Sequence, residues 1–205
     1  MKAILRNAVR LSMKGLETGP HLTRYYMYSR LSSFKQHPTA NAKVLSISGS
    51  KTICQILGLD VATVVEANYP ECSMLDLPFA TESFDYVVSD QVLEHVEGNP
   101  QNAIDESLRV LKPGGWLVHT TCFINPIHWG PSDLWRFSPQ ALDLLCKGCK
   151  KIIDVDGWGN PYAWILIWLG LRFDGIPHAR WHPLNKVARL NDKRWPIVTW
   201  IIAEK

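Results

Sequence analysis

Residues Leu77–Gly115 read LPFATESFDYVVSDQVLEHVEGNPQNAIDESLRVLKPGG, and the patterning of this stretch decides the fold. Phe84 to Ser89 is a short apolar run that closes at Asp90, as expected of a strand buried on both faces. A helical stretch follows from about Pro100 to Leu111. Asn99 is placed to cap it, because its side-chain oxygen can accept from the unpaired N–H groups of the first turn. Pro100, at the first helical position, has no N–H to lose. Lys112-Pro113-Gly114-Gly115 stops the helix, and Trp116 to Thr121 is a second apolar run. Strand, helix and strand in this order make a parallel pair joined by a crossover.

The alternation continues outward on both sides. Lys43–Ile47 and Val61–Glu66 read as earlier strands, with a helix over Lys51–Leu57 between them. Pro139–Cys146 reads as a helix capped by Ser138, and Lys151–Val155 and Pro196–Ala203 as the last two strands. This predicts an α/β protein with a mostly parallel sheet covered on both faces. In such sheets ligands sit beyond the carboxyl ends of the strands, near the switch in strand order. Ser48–Ser50, Glu66, Asp90 and Gln91, and Thr120–Cys122 are therefore the positions to read for function.

Two segments fall outside this pattern. Residues 1–42 are expected to form a helical extension ahead of the main domain, 43–205. Within it, Lys2, Arg6, Arg10 and Lys14 recur at i, i+4 beside Ile4, Leu5, Ala8, Val9 and Leu11, a basic amphipathic helix. A second helix is expected over His21–Phe34, after the Gly19-Pro20 break. The other segment, 156–195, is an insert before the last strand. It holds five of the nine Trp and the apolar run Ala163–Leu171. It reads as an extra helix packed on the sheet, or as a lid, a homodimer surface or a membrane-facing patch.

Bulk properties narrow the function. A chain of 205 residues can bury one core without staples. A net charge of +3 is too weak to argue for nucleic acid. Of the five Cys, Cys146 and Cys149 form a CxxC, but no second pair of ligands exists, so reduced thiols and no metal are expected. No signal peptide is evident, and the longest apolar run is about half the ~20 residues that cross a bilayer. The expectation is a cytoplasmic protein, with peripheral contact at the inner face of a membrane as its companion.

The order LPF, acid, SFD, strand, VLEHV, helix, RVLKPGG resembles the central signature of class I S-adenosylmethionine-dependent methyltransferases. Pro126–Leu142, PIHWGPSDLWRFSPQAL, resembles a stretch with a DxWRF(S/T)P motif in a subfamily linked to glycan and surface-polysaccharide modification. The resemblance implies a Rossmann-like three-layer sandwich with an antiparallel last strand. It also implies S-adenosyl-L-methionine as cofactor and O-methylation of a small-molecule or glycan-type acceptor.

Residue by residue, the resemblance gives Glu66 the ribose hydroxyls and Met74-Leu75 the adenine face. Ser46, Ser48, Gly49 and Ser50 stand where the family carries its cofactor loop. Asp90 and Gln91 would line the methionine end or the transfer site, and Asp90 reads equally as an N-cap for the VLEHV segment. His95 is expected to pack or cap locally. After the fifth strand, His128 suits a general base for a hydroxyl, and Asp133 would orient it or act itself. Trp129 and Trp135 suit stacking on a sugar, with Arg136 beside them. The competing expectation is that Trp135-Arg136-Phe137 anchors the loop. The sequence departs from the family where Ser46 replaces an acid and only Gly49 remains of the glycines. A non-catalytic methyltransferase-like binding module is therefore the alternative.

Overall fold

The computed structural model describes every residue except Trp129 and Pro131. In chain order the elements are α1 (Lys2–Ser12), β1 (Thr18–His21), α2 (Leu22–Leu31), β2 (Lys43–Ile47), α3 (Lys51–Ile56), β3 (Thr63–Ala67) and β4 (Phe84–Asp90). They continue as α4 (Pro100–Val110), β5 (Leu111–Cys122), α5 (Pro139–Leu145), β6 (Lys151–Trp158), α6 (Pro161–Leu169), β7 (Gly175–Pro177), α7 (Pro183–Arg189) and β8 (Val198–Glu204). Helices α4 to α7 share one device. Each starts with Pro just after a capping residue, and Asn99, Ser138, Asn160 and His182 all accept a backbone N–H of the first turn.

Six strands form the main sheet in the order β3-β2-β4-β5-β8-β6. Strands β2, β3, β4 and β5 are parallel, and β8 runs antiparallel to both β5 and β6. Alternation along each strand feeds two cores. Val44, Val88, Val118 and Ile202 pack with α2, α3 and α7 on one face. Their neighbours Leu45, Val87, Leu117 and Ile201 pack with α4 and α5 on the other. This is the expected sandwich, helices on both faces and the last strand antiparallel.

The extension and the insert differ from expectation. The Gly19-Pro20 break lies inside β1, which pairs antiparallel with β7 of the insert, so the two outlying segments share a small sheet. Helix α2 is part of the core, with Leu22, Met27 and Leu31 fully buried. Strand β6 also runs three residues further than expected: Asp156, Gly157 and Trp158 pair with β8. Trp158 is therefore a buried core residue rather than part of a surface insert.

Candidate functional site

The carboxyl ends of β2, β3 and β4 meet at a cavity of about 770 Å³. Its floor is the turn after β2. Ser48 and Gly49 both take left-handed backbone, with φ of 50° and 78°. A Cβ on Gly49 would meet nothing within 4 Å, so its φ, not its space, asks for glycine. Asn68 and Tyr69, just past β3, form one wall, and Met74 and Leu75 another. Gln91, Val92, His95 and Val96 close the far side, after β4. Gln91 is also left-handed, at φ 59°, and its N–H donates to the Thr120 carbonyl at 2.9 Å.

Of the residues expected around a cofactor, Ser48, Gly49, Met74, Leu75 and Gln91 line this cavity. Ser46, Ser50, Glu66 and Asp90 lie outside its lining. Ser46 is fully buried within β2 and its hydroxyl has no partner among the described residues. Ser50 ties two strands together: its hydroxyl donates to the Ile47 carbonyl at 2.5 Å and accepts the Asp90 N–H at 2.7 Å. Glu66 points at the α3 face, where its charge adds to burial in pushing the Cys54 thiol up to about 11. The cavity begins one residue past the end of β3, so Asn68 occupies the place expected of Glu66.

Asp90 is neither an N-cap nor free. Its carboxylate accepts from Tyr28 at 2.7 Å and Thr120 at 2.6 Å, with Arg24 at 3.6 Å. Helix α2 thus covers it, and burial together with that carboxylate raises the Tyr28 phenol well above its usual range.

The loop between β5 and α5 is built around Asp133, whose side chain is 2% exposed. Arg136 donates to both its oxygens, at 2.5 and 2.6 Å, which lowers the carboxyl to about 2. Asp133 is accordingly a fixed anion and no base. The remaining donors of Arg136 go to the carbonyls of Asn125, Pro126 and Trp135, leaving none for a substrate. Trp135 holds the loop as well: its indole N–H donates to Val96 O at 2.9 Å and its backbone N–H to Glu94 O at 3.1 Å. These two residues anchor the loop, the competing expectation for them. Trp129 lies outside the described residues.

Two histidines face each other here. His128 receives orientation from Asp133, with Nδ1 3.1 Å from Oδ2, and its ring meets His95 edge-on at 5.0 Å between centroids. His95 lines the cavity, and its Nδ1 donates to the Ser132 carbonyl, which leaves Nε2 as the basic nitrogen. Beneath them Glu94 is fully buried. One carboxylate oxygen accepts from Thr121 at 2.8 Å, the other has no partner among the described residues, and burial raises its pKa. Ligand atoms of Glu94, His95 and His128 all lie within 4.8 Å of one another. A carboxylate and two imidazoles are a donor set that suits a transition metal, a grouping not expected from the sequence.

Residues 31–119 match the family model of a methyltransferase domain. The chain is 27% identical over 159 residues to the ubiquinone biosynthesis O-methyltransferase of Alkalilimnicola ehrlichii, covering 74% of this chain and 60% of that protein. Phosphoethanolamine N-methyltransferase 2 of Haemonchus contortus, solved with S-adenosyl-L-methionine, superposes with a TM-score of 0.53 at 15% identity, over 98% of this chain and 56% of that one. The cyclase SpnF superposes with a TM-score of 0.52 at 16% identity, over 100% and 93%. The chain spans 20% to 60% of the length of the curated relatives it matches. The fold is the Rossmann-like sandwich of both solved structures.

Proposed function

We propose that this chain is an S-adenosylmethionine-dependent methyltransferase that methylates oxygen on a small-molecule or glycan-type acceptor. The observation that carries the reading is the cavity itself, which joins the left-handed turn after β2 to a histidine whose Nε2 has no hydrogen-bond partner among the described residues. Its volume of about 770 Å³ falls within the range of small-ligand sites, and its position is the one this sheet order prescribes. Ser48, Gly49 and Asn68 would hold the polar parts of the cofactor, and Met74 and Leu75 its adenine. Bound there, the cofactor supplies an electrophilic methyl group.

The chain must then align the acceptor and take up a proton. His95 presents Nε2 because its Nδ1–H is committed to Ser132. It receives the hydroxyl proton as the oxygen attacks. His128 backs it edge-on, held against the permanent Asp133 carboxylate, which favours positive charge on the pair.

A second reading, binding without catalysis, is favoured by Ser46, which stands where an acid is expected and is buried away from the cavity. Titration calorimetry with S-adenosylmethionine and S-adenosylhomocysteine separates the two. Asn68→Ala should weaken binding roughly 3- to 10-fold, the loss of one neutral hydrogen bond, and Glu66→Ala should leave it unchanged. With an acceptor in hand, His95→Ala should lower turnover by ~10²–10⁴-fold with cofactor affinity intact. No heat at millimolar cofactor would overturn the enzyme reading.

A further inference from the structure

Helices α1 and α6 lie side by side, and both turn apolar faces to solvent. The covered positions near α1 are Arg6, Val9 and Met13. At 100° per residue they fall within a sector of roughly 60°. Val9 and Met13 pack against the core, but the other large apolar side chains of α1 do not: Ile4 is 73% exposed, Leu5 47% and Leu11 70%. An amphipathic helix of a globular protein buries its apolar stripe against the core. Helix α1 does so only in part and leaves a second apolar group in water.

Helix α6 repeats the anomaly. All its nine residues, PYAWILIWL, are apolar or aromatic. Such a helix is normally buried all round. Ala163 and Leu169 are buried, but Tyr162, Ile165 and Trp168, on one face, are each more than half exposed. The Lys2 ammonium lies 5.1 Å from the Trp168 ring centre, joining the two helices.

Charge identifies the occupant. Neither helix carries an acidic residue. Arg10 is committed to Asp174, whereas Lys2 and Lys14 are exposed and in no ion pair among the described residues. We propose that the outer faces of α1 and α6 dock on an anionic lipid bilayer, with Trp168, Tyr162 and Ile165 seated among the headgroups. Exposed Trp and Tyr beside aliphatic side chains and lysines suit that boundary, apolar on one side and anionic on the other. A two-fold contact with a second copy would set these lysines against themselves, with no carboxylate on either helix to answer them. The attachment is peripheral, since no helix among the described residues is long and apolar enough to cross a membrane. Because β6 runs parallel to β5, α6 follows it at the edge of the sheet that carries the cavity. The docking does not depend on methyl transfer.

The test is sedimentation of the full chain with phosphatidylcholine vesicles, with and without phosphatidylglycerol, at low and high salt. The protein should pellet with anionic vesicles at low salt and be released at high salt. Each of Lys2→Gln and Lys14→Gln should lower the partition coefficient about fivefold, the equivalent of ~1 kcal/mol per cation near such a surface. Trp168→Ser with Ile165→Ser should lower it at least as much, with an unchanged urea unfolding curve to show that the fold survives. A protein that stays in the supernatant, or that binds neutral vesicles equally well, overturns the proposal. So does a dimer in sedimentation velocity that the same substitutions dissociate without any lipid binding.

Discussion

His119 should make the stability of this protein fall as pH drops below neutrality, by an amount the structure fixes. The residue lies in β5, is fully buried, and shares a 2.6 Å hydrogen bond with Ser89 of β4. Its Nε2 has no partner among the described residues, and burial lowers its pKa to about 3. The unfolded chain binds a proton at His119 below about 6.5, and the folded chain does so only near 3. Between those values the proton favours the unfolded state, so stability present at neutral pH is lost on acidification. At about pH 5 the loss is about 2 kcal/mol, at ~1.4 kcal/mol per unit over ~1.5 units. For a chain of this size that lowers Tm by roughly 4–8 °C. The assay is urea unfolding of the wild type and of His119→Gln near pH 7.5 and 5. His21, which burial and the neighbouring Arg24 and Arg172 lower to about 4, adds to the slope of both proteins and cancels. The wild type should lose about 2 kcal/mol more than the variant between the two conditions. Equal losses, within about 0.5 kcal/mol, would refute the assignment of a buried neutral imidazole.

The turn after β2 offers a test of backbone rather than side chain. Gly49→Ala should cost about 1–2 kcal/mol through its φ of 78° alone, because the added methyl meets open space; Ser48→Gly should stabilise by up to about 1 kcal/mol, both read by urea midpoints. In the loop between β5 and α5, Arg136→Leu strips the buried Asp133 of its counter-ion and should destabilise by about 3 kcal/mol. The double variant Asp133→Leu/Arg136→Leu should recover part of that loss, and a purely additive cycle would show that the pair is not coupled.

The parts of this fold that the sequence shows are those with a local cause. Apolar runs such as Val87-Val88 and Leu117-Val118 feed two cores at once, so they can only be central strands. Asn99-Pro100 and Ser138-Pro139 cap their helices through N–H groups two or three residues on from the capping residue. Pairings between distant segments are hidden for the opposite reason. Strand β1 is Thr-Gly-Pro-His, poor in strand formers, and is held by β7 more than 150 residues on. The site divides along the same line. Gly49 and Gln91 can be placed by counting to the end of a strand, but the choice between Glu66 and Asn68 turns on a boundary at Ala67, where local pattern is least sharp. His95 sits in Val92-Leu93-Glu94-His95-Val96, between apolar neighbours, and reads as a packing or capping residue. Only the one-turn helix at Leu93–His95 rotates it toward the cavity.

Charge and strain together locate the working part of the molecule. Asp90, Asp133 and Arg136 are the most conspicuous charges near the site, yet each is spent on internal partners. A carboxylate that already accepts two hydroxyls, or a guanidinium with all its donors used, has little left to offer a ligand. Among the described residues, the groups left with capacity include His95, whose Nε2 makes no hydrogen bond, and Glu94 and Glu66, each with one buried oxygen unpaired. Left-handed backbone at non-glycine residues costs on the order of 1–3 kcal/mol and persists only where the surroundings hold it. Two of the three such residues among those described, Ser48 and Gln91, are cavity-lining. Hydrogen bonds to neighbouring strands hold both, Ser48 N–H to Ala67 O and Gln91 N–H to Thr120 O, each at 2.9 Å. Uncommitted polar atoms and tolerated strain thus converge on one place, the carboxyl ends of β2, β3 and β4, while Asp90, Asp133 and Arg136 around it serve as scaffold.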